Sequence, residues 1–266
     1  MLEDIEREIE AKKKKQAETA PVEAEFTMPL TGTRRAIAEH MLRSLSISAQ
    51  LTAMGEIDMT EIVKLRESLL GQEEVLGARI TYTDLLVLAV AKVLREYPLA
   101  NASIIDNQIK IWKDINIAVA VHVEGGVIVP VIKNADKKSL TEISREIKTL
   151  TQRAKERTLT LEEVKDGTFT ISNLGAIGGG WRFDTLIINQ PQSAILGTGS
   201  ITERAVVRDG QIMIRPIMTY SFTYDHRLID GALAVKFMNS VIRLLEGGDL
   251  LKLQEQRSTM VPDESG

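Results

Sequence analysis

The feature that most constrains the fold is the alternation of helix-period and strand-period segments along the chain. Apolar residues recur at helical spacing from Arg34 to Ser48 and from Ser139 to about Arg157. Residues 51–57 alternate as a half-buried strand does, and 115–123 form a more continuous apolar run. Because no strict strand–helix–strand repeat is present, the pattern predicts an α/β two-layer sandwich with a mixed, largely antiparallel sheet.

The remaining segments extend this prediction. Asp58 with Glu61, and Ser139 with Glu142, have the spacing of capping boxes at helix starts. Further helices are predicted at 58–70, 83–96, 160–164 and 230–245. Further strands are predicted in a hairpin at 103–112 and at 127–132, 168–172, 194–197, 204–208 and 211–224.

Composition limits the partners and the compartment. The 266 residues carry 33 Lys+Arg against 37 Asp+Glu, so no basic excess is available to bind nucleic acid. The chain has no cysteine, which excludes disulfides, Cys-ligated metal and an enzyme thiol as nucleophile. The longest apolar run, 85–91, is far shorter than the roughly 20 residues of a membrane helix. We therefore expect a soluble cytoplasmic protein without a membrane partner.

The two ends of the chain differ from its middle. Residues 1–25 contain a run of four lysines and an Ala/Glu/Pro-rich stretch, and are interpreted as a linker. Residues 254–266 are polar and are interpreted as a flexible tail. Residues 26–253 are then expected to form one folded core.

Three histidines are present, and only one lies in a reactive context. His40 lies in an amphipathic helix and His122 near the end of an apolar strand, so packing roles are favoured for both. His226 follows a predicted strand and is flanked by Asp225, Arg227 and, further on, Asp230, which we expect to cap the last helix. Loops at strand ends commonly display reactive groups, so His226 is the catalytic candidate, with a bystander histidine before a capped helix as the equally weighted alternative from spacing alone.

A second segment carries oxyanion-binding potential. Residues 167–175 read GTFTISNLG, a strand that ends in the hydroxyl of Ser172 and the amide of Asn173 beside glycines. A donor held at such a terminus can stabilise a developing oxyanion. A plain turn is the alternative when the segment is considered alone.

Five motifs in order resemble the catalytic domain of dihydrolipoamide acyltransferases of 2-oxo acid dehydrogenase complexes. They are TRRAIAEHM, NIAVAVHVEGGVIVPVIKNADKKSL, GTFTISNLG, IINQPQSAILGTG and YDHRLIDG, the last containing the HxxxDG active-site motif. The resemblance extends from about Leu30 to Leu251. Residues 3–10, EDIEREIE, also resemble the last helix of the peripheral-subunit-binding domain that precedes the core in this family.

The resemblance implies a fold and an assembly. The fold would be like that of chloramphenicol acetyltransferase and would form trimers, with an active site between neighbouring subunits. Homotrimers would assemble further into a hollow cage that serves decarboxylase and dihydrolipoamide dehydrogenase components. The lipoyl group would be carried on a separate or missing domain.

The resemblance also implies a reaction, the transfer of an acyl group between dihydrolipoamide and coenzyme A without a metal. His226 would be the general base that prepares the attacking thiol, because its ordinary pKa lies near neutral pH. Ser172 would donate to the oxyanion, with Ser172 and His226 supplied by different subunits. Asp230 would orient the site, paired with Arg227 or Arg34.

Contacts to coenzyme A are assigned to two residues by the same resemblance. Arg34 belongs to a basic pair at the start of the core and is a candidate for the phosphates, or for a structural ion pair. Asn173 is a candidate for the pantetheine or acyl amide, with a structural role as the alternative.

Two rival functions and one specificity question remain open at the level of sequence. A related acyltransferase could act on a small acceptor, as chloramphenicol acetyltransferases do. A non-catalytic scaffold is the other rival, disfavoured because Ser172, His226 and Asp230 are all present. The acyl group could come from pyruvate or from a branched-chain 2-oxo acid.

Overall fold

The computed structural model describes residues 24–178, 180, 182–248 and 250–251. The backbone contacts divide the chain into units 1–37 and 38–266, and the interactions discussed below lie within the second unit unless stated otherwise. The predicted linker, apart from residues 24 and 25, and the predicted tail lie outside the described residues.

Six α-helices occur in the described part of the chain. They are α1 (Gly32–Ile47), α2 (Thr60–Leu70), α3 (Glu73–Leu76), α4 (Tyr82–Leu94), α5 (Leu140–Lys155) and α6 (Gly231–Glu246). The predicted helix at 160–164 is a single 3-10 turn, Leu161–Glu163. None of the helices within the described residues is long and apolar enough to cross a membrane.

The main sheet has six strands in the order β1-β10-β9-β8-β4-β7, and two short ribbons, β2-β3 and β5-β6, lie outside it. In the main sheet, β8 is parallel to β4 and β9, whereas the other neighbours are antiparallel. The predicted mixed α/β architecture is therefore confirmed. The strands are β1 (Gln50–Asp58), β2 (Ala102–Ile105), β3 (Gln108–Ile111), β4 (Ile117–Val119), β5 (Val121–Val123), β6 (Gly126–Ile128), β7 (Val131–Ile132), β8 (Phe169–Asn173), β9 (Ala194–Arg208) and β10 (Gln211–Asp225).

Strand boundaries differ from the sequence prediction in two places. The strands predicted at 194–197 and 204–208 are one continuous strand, β9, which pairs with β10 nearly throughout its length. The runs at 115–123 and 127–132 are each divided into two strands. In the main sheet β4 pairs with β7, whereas β5 and β6, which flank the turn between the two runs, pair with each other. Periodicity within one strand does not reveal such a change of partner.

One face of the sheet holds the hydrophobic core. Phe169 of β8 and Phe222 of β10 point to this face, with ring centroids 6.4 Å from each other and 5.9 and 5.0 Å from that of Phe237 of α6. Helix α4 is apolar on nearly all sides and is almost wholly buried in the same core. Because neighbouring side chains along a strand alternate between faces, the remaining side chains of these strands point to the opposite face of the sheet, away from this core.

The opposite face carries hydroxyl groups and is crossed by the extended segment 182–192, which we call the strap. Ser221 accepts a hydrogen bond from the backbone N–H of Asp184 (3.3 Å), and Thr219 donates to the carbonyl of Arg182. Thr170 donates to Gln192 (2.5 Å). Side chains rather than a strand ladder thus hold the strap on the sheet.

Helix starts agree with the sequence prediction at α5 but not at α2. Ser139 and Glu142 form the predicted capping box at the start of α5. The box predicted for Asp58 and Glu61 is wrong, because Met59 is the N-cap residue and Asp58 instead accepts from the backbone N–H of Thr60 (3.0 Å).

Helix α4 has a capping box that the sequence analysis overlooked. Thr81 accepts from the N–H of Asp84 (3.2 Å), and the Asp84 carboxylate accepts from the N–H of Thr81 (2.8 Å). The helix had been predicted to begin at Thr83, although the spacing Thr81-x-x-Asp84 is itself a capping signature.

Candidate active site

His226 lies on the turn that follows β10 and precedes α6. Its imidazole is exposed and lies 6.2 Å, centroid to centroid, from the ring of Tyr224. Within the described part of the chain the imidazole nitrogens have no hydrogen-bond partner. The ring is therefore available to a substrate proton.

Asp225 and Arg227, which flank His226, form an ion pair. The guanidinium of Arg227 donates from Nε to both carboxylate oxygens (3.0 and 3.1 Å) and from Nη2 to Oδ2 (2.6 Å). The Asp225 side chain is only 4% exposed, whereas that of Arg227 is 44% exposed. This hydrogen bonding raises the pKa of Arg227.

Asp230 is the N-cap of α6, as predicted. Its carboxylate accepts from the backbone N–H of Leu233 at 2.7 Å. Of the two candidate partners of Asp230, Arg227 is paired with Asp225 instead. Burial raises the pKa of Tyr224, and the negative charge of Asp230 adds to the shift.

Ser172 lies near the end of β8 on the face opposite the core. Phe169 and Ile171 of the same strand are fully buried in the core, so the alternation directs Ser172 to the other face. Its backbone pairs with Gly197 of β9, which pairs in turn with Ser221 of β10. The Ser172 hydroxyl is half-buried and makes no hydrogen bond to another described residue, so it is free to donate to a ligand.

The surface beside Ser172 is shaped by a close contact at Gly197. A Cβ atom on Gly197 would lie 2.3 Å from Cδ1 of Leu186, which belongs to the strap. Leu186 therefore occupies the space that a side chain would fill next to Ser172. An alanine at this position would require the Leu186 side chain to move.

Asn173 has both ends of its amide engaged by its own chain. Its Nδ2 donates to the hydroxyl of Thr83 (2.9 Å), and its Oδ1 accepts from the N–H of Ala176 (3.1 Å). It also lines a cavity of about 300 Å³ with Thr81, Tyr82 and neighbouring residues. Asn173 therefore has a structural role in linking β8 to Thr83 and Ala176. A contact to substrate would use the remaining hydrogen of its Nδ2 or the remaining lone pair of its Oδ1.

The chain does not bring Ser172 and His226 together. Ser172 is level with Ser221, two strands away, and His226 lies five residues beyond Ser221 along the chain. At about 3.3 Å per residue and about 4.8 Å between strands, the two Cα atoms are about 19 Å apart. The two side chains and a hydrogen bond cannot span that distance.

The remaining predicted site residue, Arg34, lies in α1 and is exposed. It belongs to the first unit of the chain, so its role in ligand binding stays a prediction. His40 and His122 were assigned packing roles. His40 is half-buried with its Nε2 3.1 Å from Oδ1 of Asn189, and His122 is exposed on β5.

The ion pair between Asp225 and Arg227 is the feature of the site that sequence reasoning missed. The signal was present, since an acid and a base two residues apart at a strand end flank the histidine. From sequence, Arg227 was considered only as one of two candidate partners of Asp230. Among the described residues no group of three His, Asp or Glu side chains is arranged to hold a metal ion.

The family model described as "2-oxoacid dehydrogenases acyltransferase (catalytic domain)" matches residues 22–253. The chain is 39% identical over 227 residues to the acetyltransferase component of the pyruvate dehydrogenase complex of Bacillus subtilis, covering 85% of this chain and 51% of that protein. It is 37% identical over 270 residues to the succinyltransferase component of the 2-oxoglutarate dehydrogenase complex of Haemophilus influenzae, covering 95% of this chain and 64% of that protein. The chain thus spans about half to two thirds of the length of these relatives.

Solved structures give the same picture. A dihydrolipoamide acetyltransferase of Azotobacter vinelandii, studied for the catalytic role of a serine, a histidine and an asparagine, has 32% identity and a TM-score of 0.81, covering 89% of this chain and 97% of that chain. The cubic core of a pyruvate dehydrogenase multienzyme complex has the same identity, TM-score and coverage. A chloramphenicol acetyltransferase, at 18% identity and a TM-score of 0.51 over 78% of this chain and 94% of that chain, shares the fold.

Proposed function

Because the chain belongs to the family of 2-oxo acid dehydrogenase acyltransferase catalytic domains, we propose that it transfers acyl groups between dihydrolipoamide and coenzyme A. The observation that carries the proposal concerns two groups, the imidazole of His226 and the hydroxyl of Ser172. Neither makes a hydrogen bond to another described residue, and both are of the kinds that act in acyl transfer. Each lies at or just beyond the end of a strand, within a motif of this family. A scaffold without catalysis would not require either group to remain free of protein partners.

His226 is the proposed general base. A thiol has a pKa near 8.5, so little thiolate is present at neutral pH without a base. A neutral imidazole takes the proton from the thiol of coenzyme A, or of dihydrolipoamide in the reverse direction, as the sulfur attacks the thioester carbonyl. Because the chain contains no cysteine, both sulfur atoms come from the substrates.

Ser172 is the proposed oxyanion donor. Attack on the thioester moves negative charge onto the carbonyl oxygen, and the Ser172 hydroxyl has no competing partner among the described residues. A fixed donor of this kind stabilises the tetrahedral intermediate more than the ground state. Collapse of the intermediate expels the other thiolate, which takes the proton back from His226.

The two groups are proposed to meet across a subunit boundary. The separation of about 19 Å estimated from the strand register supports a site built from two chains. In a homotrimer, His226 of one subunit can face Ser172 of the next, as the family resemblance implies. Assembly of trimers into a cage, with decarboxylase and dihydrolipoamide dehydrogenase as partners, is part of the same proposal and is supported by the similarity to a cubic core.

Coenzyme A is proposed to lie along the cavity lined by Asn173, Thr81 and Tyr82. The cavity begins one residue from Ser172 and offers hydroxyl and amide groups that suit the amides of pantetheine. The Asn173 side chain is held by Thr83 and by the N–H of Ala176, so it is oriented before the ligand binds. The lipoyl group would arrive on a separate domain.

The deciding experiment measures initial rates of acyl transfer to dihydrolipoamide from acetyl, isobutyryl, isovaleryl and succinyl coenzyme A. We expect rapid transfer of one acyl class, which would also assign the substrate among pyruvate-derived, branched-chain and succinyl groups. Absence of transfer with all four donors would contradict the proposed function. Transfer to chloramphenicol-like acceptors but not to dihydrolipoamide would favour the small-acceptor rival.

A further inference from the structure

We propose that the ion pair between Asp225 and Arg227 is a positioning device that fixes the imidazole of His226 for proton transfer. The inference rests on the proposed acyltransferase function and assigns a role to two residues for which the reaction itself gives none. The mechanism proposed above gives neither side chain a contact with substrate atoms. Both would act through the histidine between them.

The first step is the burial of the Asp225 carboxylate. A carboxylate that is 4% exposed is costly unless it is well paired, and removal of its partner is costlier still. Arg227 supplies a bidentate guanidinium, and the backbone N–H groups of Arg227 (3.1 Å) and Ala49 (3.3 Å) also donate to Oδ1. The carboxylate is therefore fixed from several directions.

The second step is that these bonds hold the backbone on both sides of His226. The N–H of His226 donates to the carbonyl of Ala49 at 2.9 Å, so Ala49 is bound both by His226 and by the Asp225 side chain. The carbonyl of Asp225 accepts from Leu228 (2.9 Å) and Ile229 (3.0 Å). The turn is thus closed around the histidine and fastened to the start of β1.

The third step concerns the ring itself. Within the described residues no polar group of the chain is hydrogen-bonded to the His226 imidazole, and the ring of Tyr224 lies 6.2 Å from it, centroid to centroid. Its direction is consequently set by the backbone from which it projects. A shift of the turn would misplace the base, and an error of about 1 Å in a catalytic group can cost about 10²-fold in rate.

The chain offers a matched control in the ion pair between Arg95 and Asp136. Arg95 donates from Nε (2.8 Å) and Nη2 (2.5 Å) to Oδ2 of Asp136, and the side chains are 39% and 3% exposed. The geometry and burial resemble those of Arg227 and Asp225. Arg95 follows α4 and lies outside the HxxxDG segment.

The experiment compares Arg227→Lys and Arg227→Gln with Arg95→Lys and Arg95→Gln in the assembled protein. Lysine keeps the charge but not the planar fork, so it should restore part of the function that glutamine loses. We expect kcat to fall about 10-fold in Arg227→Lys and about 10²-fold in Arg227→Gln, with KM for both substrates within about twofold. Both Arg95 variants should keep kcat within about twofold while melting at lower temperature.

Three outcomes separate the interpretations. Full kcat in both folded Arg227 variants, judged by sedimentation and melting temperature, would overturn the inference. An equal loss of kcat in the Arg95 variants would assign the effect to general stability and would also overturn it. If the wild-type protein itself shows no thioester exchange, the proposed function fails, which is a different result from active wild type with insensitive variants.

Discussion

At the scale of single residues, His226 and Ser172 make separable contributions. His226→Ala should reduce kcat by about 10²–10⁴-fold because the attacking thiol loses its base. Ser172→Ala should reduce it by about 10²–10³-fold because the oxyanion loses one donor. Steady-state acyl transfer measures both, with sedimentation as the control for assembly. More than a few per cent of wild-type activity in His226→Ala would contradict its assignment as the base.

Asn173 and Arg34 are expected to act on binding rather than on the chemical step. Asn173→Ala should raise KM for coenzyme A several-fold, about the value of one neutral hydrogen bond, with kcat little changed. Arg34→Ala should raise KM for coenzyme A more than KM for dephospho-coenzyme A if it contacts the 3′-phosphate. Unchanged KM values in both variants would leave these residues with structural roles.

Gly175 provides a test of packing beside the site. A Cβ atom at this position would lie 2.3 Å from the backbone oxygen of Gly199, so the backbone itself must move. Gly175→Ala should lower the free energy of unfolding by about 2–3 kcal/mol. Gly71→Ala is the control, since its nearest neighbour is at 3.4 Å and its φ is negative, and it should change stability by less than about 0.5 kcal/mol. Equal effects in a denaturant titration would refute the packing argument.

Residue roles were partly accessible from sequence. The N-cap role of Asp230 was predicted correctly, because it follows from residue type and local spacing. The catalytic roles of Ser172 and His226 stay predictions. The pairing of Arg227 with Asp225 was not predicted, since Asp225 and Asp230 are both within reach in sequence and only the turn decides between them. The contact of Leu186 with Gly197 could not be predicted, because it joins the strap to a strand.

At the scale of elements, two helices begin with the same capping box in opposite environments. Burial raises the pKa of Asp84 in α4, whose residue is only 1% exposed. Hydrogen bonds from the backbone and hydroxyl of Ser139 lower the pKa of Glu142 in α5, which is exposed. The same motif should therefore give opposite dependence of stability on pH.

The signs follow from proton linkage. Asp84 binds its proton more tightly in the folded state, so its contribution is favourable below the ordinary pKa and is lost as pH rises through the raised folded pKa. Glu142 releases its proton more readily in the folded state, so its contribution is present above the ordinary pKa and is lost as pH falls through the lowered folded pKa.

Melting curves of two variants between pH 3 and pH 7 test this contrast. Asp84→Asn should melt at or above the wild-type temperature at pH 7, with the advantage shrinking toward pH 4 as wild-type Asp84 becomes neutral. Glu142→Gln should be less stable than wild type by about 0.5 kcal/mol at pH 7 and nearly equal to it at pH 3. The same pH trend in both variants would contradict the role of burial.

Element prediction succeeded where one period persists over many residues, as in α1, α5 and α6. It failed where a strand changes its partner, as at 115–132, because both halves are apolar and alternate alike. The box predicted at Asp58 failed because the Asp58 side chain bonds to Thr60 before the helix begins. The hydrogen bond from Thr60 to Asp58 thus forms a turn before the helix, and Asp58 does not cap it.

At the scale of the whole molecule, the separation of Ser172 from His226 predicts complementation between defective chains. A trimer that mixes Ser172→Ala and His226→Ala chains contains boundaries at which an intact histidine faces an intact serine. Random mixing at equal amounts should restore about one quarter of the wild-type sites. Rates measured on the co-expressed, co-purified mixture test this expectation.

The control replaces one partner by the chain that carries both substitutions. Mixed with His226→Ala chains, the double variant should restore no activity, because no boundary then contains an intact pair. Activity in the first mixture no higher than in the separate variants would indicate that each site is built within one chain. The separation of Ser172 from His226 estimated from the strand register would then not describe the active site.

The side-chain tethers of the strap have a consequence for amide hydrogen exchange. The N–H of Asp184 is bound to Ser221, and that of Ile188 is bound to the side chain of Gln50, at 3.2 Å. Each such bond can open by rotation of one side chain, whereas an amide of β9 or β10 is released only when the ladder separates. The amides of the strap should therefore exchange with deuterium before those of β9 and β10. The strap beside Ser172 can then move to admit an acyl group while the sheet that carries Ser172 keeps its hydrogen bonds.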